Sequence, residues 1–303
     1  MITRQVITRR QFGKGLLGTA LAGLFAGVYG GYVEPDLRMR VQSWALQPAL
    51  WRRGHRLRIV MVADLHAGGP NMAEDRVAQA VDLANAQGGD LILLMGDYRA
   101  THPLQTRIVP IEVSAAILAG LTAPLGVHAV LGNHDWRDHL KTYGPWKGRL
   151  HTQDVLEGVG IPVLANRAVR IGTGAEAFWL AGLDSQSAFQ GFGRRKDWVG
   201  MSDLPGTLAQ IDADDPAILM AHEPDIFVQV PDRIALTLSG HTHGGQVRFG
   251  PWAPVVPSQF GGRFAYGWVR EGQRDLVVSG GLGCSGLPVR FGVPPEITVV
   301  DLS

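Results

Sequence analysis

The stretch LRIVMVADLH, Leu57 to His66, decides how the chain is read. An apolar, β-branched run of about seven residues stops abruptly at two side chains able to bind metal, Asp64 and His66. The same build returns further on. DLILLMGD stops at Asp97, and GVHAVLGNHD stops at Asn133, His134 and Asp135. PAILMAHEPD stops at His222, and IALTLSGHTH stops at His241 and His243. Runs that are nearly continuously apolar mean strands covered on both faces, as in layered α/β proteins.

Between the first two runs lies NMAEDRVAQAVDLANAQGG, where Val77, Ala80, Val81 and Ala84 fall at helical spacing and Gly88-Gly89 closes the segment. A second helix is expected over Val113 to Leu121. Strand, helix, strand, helix, strand in order makes βαβ units, and ligands bind at the carboxyl edges of such strands. The pattern therefore gathers Asp64, His66, Asp97, Asn133, His134, His222, His241 and His243 at one rim. Residues 160 to 300 show shorter strands and more turns, which predicts a second, more antiparallel sheet packed on the first. The glycines around the last two histidines, Gly240 and Gly244-Gly245, are expected to supply the backbone freedom for a tight loop.

The totals agree with one large layered unit or two small ones. The chain has 303 residues, 46% hydrophobic and 18% charged, which supports a sizeable core and excludes global disorder. A net charge of +1 gives no field that argues for nucleic acid as a partner. Cys284 is the only cysteine, so neither an internal disulfide nor a zinc-cysteine cluster is available. Any metal must be held by His, Asp, Glu or Asn.

Two carboxylates, one amide oxygen and four imidazoles are too many ligands for a single ion. A mixed nitrogen and oxygen set without sulfur suits manganese, iron or zinc better than calcium or magnesium. Two ions need a bridging ligand, and a carboxylate offers two oxygens for it.

The motifs, taken together, resemble the calcineurin-like metallophosphoesterase superfamily. That superfamily shares D-x-H, G-D, G-N-H-[DE], H and G-H-x-H in this order. Here they stand as Asp64-Leu65-His66, Gly96-Asp97, Gly132-Asn133-His134-Asp135, His222 and Gly240-His241-Thr242-His243, with no ligand substituted. The resemblance spans about residues 57 to 300. The forms AHEPD, GHTHGGQ and GGLGCSGLPVRFGVPPEI look most like its bacterial phosphodiesterase subfamily of the YkuE and YaeI type.

The resemblance implies a four-layer α/β/β/α sandwich of two packed mixed β-sheets, with a dimetal site at strand carboxyl ends. It implies one divalent ion on Asp64, His66, Asp97 and His243, and a second on Asp97, Asn133, His222 and His241, with Asp97 bridging. Manganese is expected first, with iron, zinc, nickel or cobalt as alternatives. The implied reaction is in-line attack of a metal-bound hydroxide on the phosphorus of a phosphate ester, more readily a diester. His134, by resemblance not a ligand, would stabilise charge on the phosphoryl or leaving group or donate a proton to it. Asp135 is expected to orient the His134 imidazole. Arg290, Arg99 and Arg137 are candidates for holding the non-reacting part of the substrate. The histidines outside the blocks read as surface or packing residues, and Asp184, at another strand end, reads as a turn or supporting residue.

The first 35 residues form a separate device. Arg4, Arg9, Arg10 and Lys14 come early, and the 19 residues from Gly15 to Val33 carry no charge. That is the build of an export signal, and TRRQFGK resembles the twin-arginine type. The expected organisation is a signal peptide or anchor over 1–35 and a single catalytic domain over 36–303. The product would be exported by the twin-arginine machinery and be periplasmic or held on the outer face of the membrane. A buried or amphipathic N-terminal helix is the plain alternative. Cleavage stays open, because the apolar run approaches the ~20 residues that cross a bilayer. Among other functions, a pyrophosphohydrolase of UDP-2,3-diacylglucosamine type or a phospholipid phosphoesterase fits the same motifs. A non-catalytic scaffold fits less well, because no ligand is missing.

Overall fold

Alternate residues of one strand serve two different cores. In Leu57–Val62, Ile59 and Met61 point into one apolar layer, and Val60 and Val62 point into another. All four are buried, so this strand is covered on both faces. The computed structural model describes residues 9–52, 54–189, 199–212 and 215–303.

The strands in chain order are β1 (Arg40–Leu46), β2 (Leu57–Val62), the short β3 (Gly68–Gly69), β4 (Leu91–Leu94), the short β5 (Arg107–Ile108) and β6 (Val127–Ala129). Then follow β7 (Arg167–Ile171), β8 (Phe178–Gly182), β9 (Ala217–Met220) and β10 (Leu236–Ser239). The last are β11 (Gly267–Glu271), β12 (Arg274–Val278) and β13 (Glu296–Leu302). The helices are α1 (Arg9–Val28), α2 (Glu34–Leu37), α3 (Glu74–Asn85), α4 (Ile111–Leu118), α5 (Asn133–Thr142), α6 (His151–Gly158) and α7 (Leu204–Leu208).

The first sheet has the order β1-β13-β2-β4-β6, parallel except where β13 meets β2. The second has the order β11-β12-β10-β9-β8-β7. The second sheet is antiparallel only in its two edge pairings, and its centre from β12 to β8 is parallel. The expected antiparallel character is thus confined to the edges. Between the sheets, Ile59, Met61 and Leu93 pack against Leu180, Ile218 and Leu236. Outside the first sheet lie α3 and α4, which bury Val77, Ala80, Val81 and Ala84 and, from α4, Ile111, Ala115 and Leu118. Outside the second sheet the cover among the described residues is thinner: α7 and the 3-10 turn Pro224–Gln229. Two mixed sheets between helical layers give the α/β/β/α sandwich.

Both sheets send the carboxyl ends of their parallel strands to one rim. One strand differs from its sequence reading. GVHAVLGNHD is extended only over Val127–Ala129, and Asn133 already opens α5.

At the other end of the chain, α1, a π-helical turn (Tyr29–Val33) and α2 run on continuously. Phe12–Leu37 is long and apolar enough to cross a membrane, with mean hydropathy 1.5. Its base packs on the domain: Gly30, Glu34 and Pro35 are buried, and the Arg290 amide donates to the Gly30 carbonyl at 2.8 Å. The expected boundary after residue 35 therefore falls inside a packed segment. Arg4 and Thr8 of the signal-like stretch lie outside the described residues.

Candidate metal centre

The rim is built from backbone that glycine would ordinarily occupy. Asp64 (φ 50°), His66 (41°), Asp97 (58°), His241 (70°) and His243 (51°) all take left-handed conformations. Among the described residues only Asn166 and Gln246 also do so without being glycine. Each such residue costs of the order of 1–3 kcal/mol, and strain of this kind collects at functional sites. The tight curl turns each side chain inward just where its strand ends. The glycines beside them act by size. A methyl group on Gly132 would come within 2.2 Å of Asp97 Oδ1, and one on Gly240 within 2.5 Å of Asp64 Oδ2. Gly240 thus makes room for a carboxylate, rather than supplying the freedom expected of it; Gly244 and Gly245 do have positive φ.

Two groups of ligand atoms result. Asp64, His66 and His243 form the first, Asp97, His222 and His241 the second, and a third combination, His66, Asp97 and His134, takes one member from each. His66 Nε2 and His243 Nε2 face one another at 3.2 Å, and Asp64 Oδ1 lies 3.7 Å from His243 Nε2. Asp97 Oδ2 reaches both groups, 3.2 Å from His222 Nε2 and 3.5 Å from His66 Nε2. Asn133 begins α5 beside them. Its Oδ1 is buried with no hydrogen-bond partner. Buried polar atoms are nearly always satisfied, so an unsatisfied amide oxygen beside two carboxylates and clustered imidazoles fits divalent cations.

The imidazoles are oriented from behind. His66 Nδ1 lies 3.2 Å from the Arg99 carbonyl, and His222 Nδ1 lies 2.6 Å from that of Met95. An N–H donated to a carbonyl leaves the Nε2 lone pair directed into the site, the usual support of a metal-binding histidine. Asp64 is gripped by the His241 amide, at 2.9 and 3.0 Å from its two oxygens.

Burial pushes the Asp64 carboxyl up to about 7, against the pull of His222. Burial acts on Asp97 in the same sense, but His222, His134 and His66 around it win and hold it well below the usual carboxylate range. His222 answers in kind: burial would lower it, yet Asp97 and Asp64 raise it well above an ordinary imidazole. Burial takes His66 and His241 down to about 4 and His134 down to about 3.

His134 sits at the edge of the site, half-buried, with its amide donating to Asp97 Oδ1 at 2.8 Å. The Thr101 hydroxyl meets its Nδ1, and Ser285 Oγ lies 3.2 Å from its Nε2. Asp135 does not orient it, which corrects the sequence reading. Adjacent residues on a helix point in different directions, and Asp135 turns inward. Its oxygens accept from the Gly132 and Asp97 amides (2.8 and 2.9 Å) and from the Tyr98 amide (3.0 Å). Asp135 ties the Asp97 turn to the start of α5.

Arg290 also departs from its expected role. It is fully buried, and its guanidinium donates to the carbonyls of Gly280, Gly283 and Val293 while lying 3.2 Å from His243 Nδ1. It props the His243 loop and does not face a substrate. Arg99 pairs with Asp138. Asp184 accepts from Trp136 Nε1 and the Ser185 amide, both at 2.7 Å, a supporting role. Thr101 and Ser285 were not singled out from the sequence, since a lone hydroxyl in a loop carries no spacing signal. The loop after β12 was missed as a wall: Gly283 N donates to the Asp64 carbonyl at 2.7 Å.

The calcineurin-like phosphoesterase model matches residues 57–245. Among curated proteins, the uncharacterized metallophosphoesterase YkuE of Bacillus subtilis is 29% identical, with 98% of each chain covered. The phosphodiesterase YaeI of Escherichia coli is 29% identical over 98% of this chain and 100% of its own. Among solved structures, a dimetal phosphatase from Danio rerio aligns at a TM-score of 0.42 and 11% identity, covering 75% of this chain and 88% of that one.

Proposed function

The chain belongs to the calcineurin-like phosphoesterase family, and from that membership we propose that it is a dimetal phosphodiesterase, working outside the inner membrane. The observation that carries the proposal is Asp97 Oδ2 within 3.5 Å of imidazole nitrogens from both ligand groups, a carboxylate placed to be shared. One cation would be held by Asp64, His66, Asp97 and His243, the other by Asp97, Asn133, His222 and His241. Manganese suits the mixed donor set first, with iron, zinc, nickel or cobalt as substitutes. Two such ions supply Lewis acidity toward phosphoryl oxygens and lower the pKa of water.

The chain's own contribution centres on His134. With its imidazole neutral at pH 7 and the Thr101 hydroxyl at Nδ1, we place the proton on Nε2, which faces the opening beside Ser285 and lies 3.5 Å from Arg137 Nη1. His134 therefore acts by donating a hydrogen bond from Nε2 to the phosphoryl or leaving-group oxygen as charge builds there. Asn133 contributes a neutral oxygen, which limits the negative charge an anionic diester meets. The relative YaeI, named a phosphodiesterase, supports the choice of diester. The paired Arg9 and Arg10 before an uncharged run support twin-arginine export.

The test is hydrolysis of bis-p-nitrophenyl phosphate with added Mn(II), beside the corresponding monoester, by wild type and by His134→Ala and Asp97→Ala. Wild type should be active, prefer the diester, and lose activity in both variants. Inactivity with every divalent ion tried would sink the reading. A reporter fusion with Arg9→Lys/Arg10→Lys should stay in the cytoplasm.

A further inference from the structure

An apolar surface runs from the N-terminal helix to the mouth of the metal centre. On the helix, Phe12, Leu16, Leu24 and Phe25 are each at least 65% exposed. No polar stripe interrupts Gly15 to Val33. A partner helix would cover one face of such a rod, whereas a bilayer covers all of them. At its base a ladder of rings leads onto the domain: Phe25 to Tyr29 at 6.0 Å, Tyr29 to Phe291 at 5.5 Å, Phe291 to Phe249 at 5.4 Å, and Phe249 to Trp252 at 6.0 Å. Phe249, Trp252 and Val255 are 54%, 60% and 71% exposed, on the loop that leaves the His241 and His243 turn. Across from them Leu287 is 55% exposed, on the segment that begins with Ser285.

The two segments are joined. Gln246 Nε2 donates to the Leu287 and Val289 carbonyls at 3.0 and 3.1 Å, and the Arg248 amide donates to the Phe291 carbonyl at 2.7 Å. Between Val247 and Phe260 the only charged side chain is Arg248, and no carboxylate is present. Exposed aromatic residues with an arginine and no acid match the interfacial zone of an anionic bilayer.

We infer that the Phe249–Val255 loop and Leu287 rest in the headgroup zone of the bilayer that receives the N-terminal helix, so that the metal centre opens onto the membrane surface and takes membrane-embedded phosphodiesters. The substrate half of this statement rests on the phosphodiesterase reading; the membrane half does not. Ser285 belongs to the same segment as Leu287 and lies 3.2 Å from His134 Nε2. A headgroup held at the lipid surface by this rim therefore meets the site without leaving the bilayer.

The experiment uses the full chain reconstituted into vesicles of phosphatidylethanolamine and phosphatidylglycerol. An environment-sensitive dye is placed at Trp252→Cys, in a Cys284→Ser background. A second preparation carries it at Arg233→Cys, an exposed position preceding β10 at the amino ends of the strands. A quencher attached to the lipid chains should quench the dye at 252 severalfold more than the dye at 233. Equal quenching overturns the proposal, as does shielding of position 252 that requires a second copy or another protein instead of lipid. In parallel, Phe249→Ser/Trp252→Ser should lower hydrolysis of a vesicle-borne lipid diester about tenfold and leave the soluble diester unchanged. Equal loss on both substrates overturns the substrate half. If wild type hydrolyses neither ester, the phosphodiesterase reading has failed, and the quenching comparison still decides membrane contact.

Discussion

The two sheets supply the same rim with different chemistry. The first delivers Asp64, His66, Asp97 and Asn133, and with them every carboxylate of the candidate centre; the second delivers only imidazoles, His222, His241 and His243. Negative charge thus comes from one half of the molecule, and only nitrogen donors from the other. The halves also differ in support. The carboxylates are held by backbone amides, His241 N on Asp64 and His134 N on Asp97, whereas His66 and His222 are fixed by donating to carbonyls. Each carboxylate is gripped from a residue at another ligand turn, so the charge of one sheet is aimed by its neighbours. Neither sheet can form the centre alone.

The sharpest way to break this contrast is Asp97→Ala. If Asp97 serves both groups, the change should remove both cations together and lower the rate by at least ~1,000-fold. Metal analysis of the purified variant checks it: two ions retained would mean that the halves do not share this ligand. His134→Ala should come next, with kcat falling ~100- to 1,000-fold and metal content unchanged. A matching loss of metal would place His134 among the ligands, as its nearness to His66 and Asp97 allows.

The pH dependence of metal loading separates the two chemistries. Ligands must be deprotonated, so loading releases protons held by the empty site. Asp64, at about 7, and His222, raised further, still bear protons near neutrality; His66 and His241, at about 4, are already neutral there. Affinity should therefore fall as pH drops from 8 toward 6, by roughly tenfold per pH unit for each proton displaced. Titration calorimetry in buffers of different ionisation heat counts those protons. A pH-independent affinity over that range would contradict the assignment.

Much of the rim was legible in sequence because strands buried on both faces must be continuously apolar, so their ends are visible as the first polar residue. Asp64, Asp97, His222 and the His241–His243 pair all fall at such ends, and α3 was marked by Val77, Ala80, Val81 and Ala84. What stayed hidden was direction. Nothing in GNHD says that Asn133 starts a helix, and without that turn Asp135 reads as a partner of His134 when it faces the Asp97 amide. Arg290 misled for the same reason: its charge suggests phosphate, yet three carbonyls of a glycine-rich loop receive it in the interior. Left-handed backbone at Asp64, His66, Asp97, His241 and His243 leaves no compositional trace, because these residues are there for their side chains.

The smallest expected effect tests whether orientation from behind matters as much at the catalytic histidine as at the candidate ligands. Thr101 is exposed, and its hydroxyl meets His134 Nδ1. Thr101→Val keeps the branched shape and removes the hydroxyl. A hydrogen bond of this kind contributes about 1 kcal/mol, which corresponds to about a fivefold drop in kcat. KM and metal content should stay as in wild type, since the residue touches neither group of ligands, and Thr101→Ser should restore kcat to within about twofold. A rise in KM with kcat intact would instead make Thr101 a substrate contact.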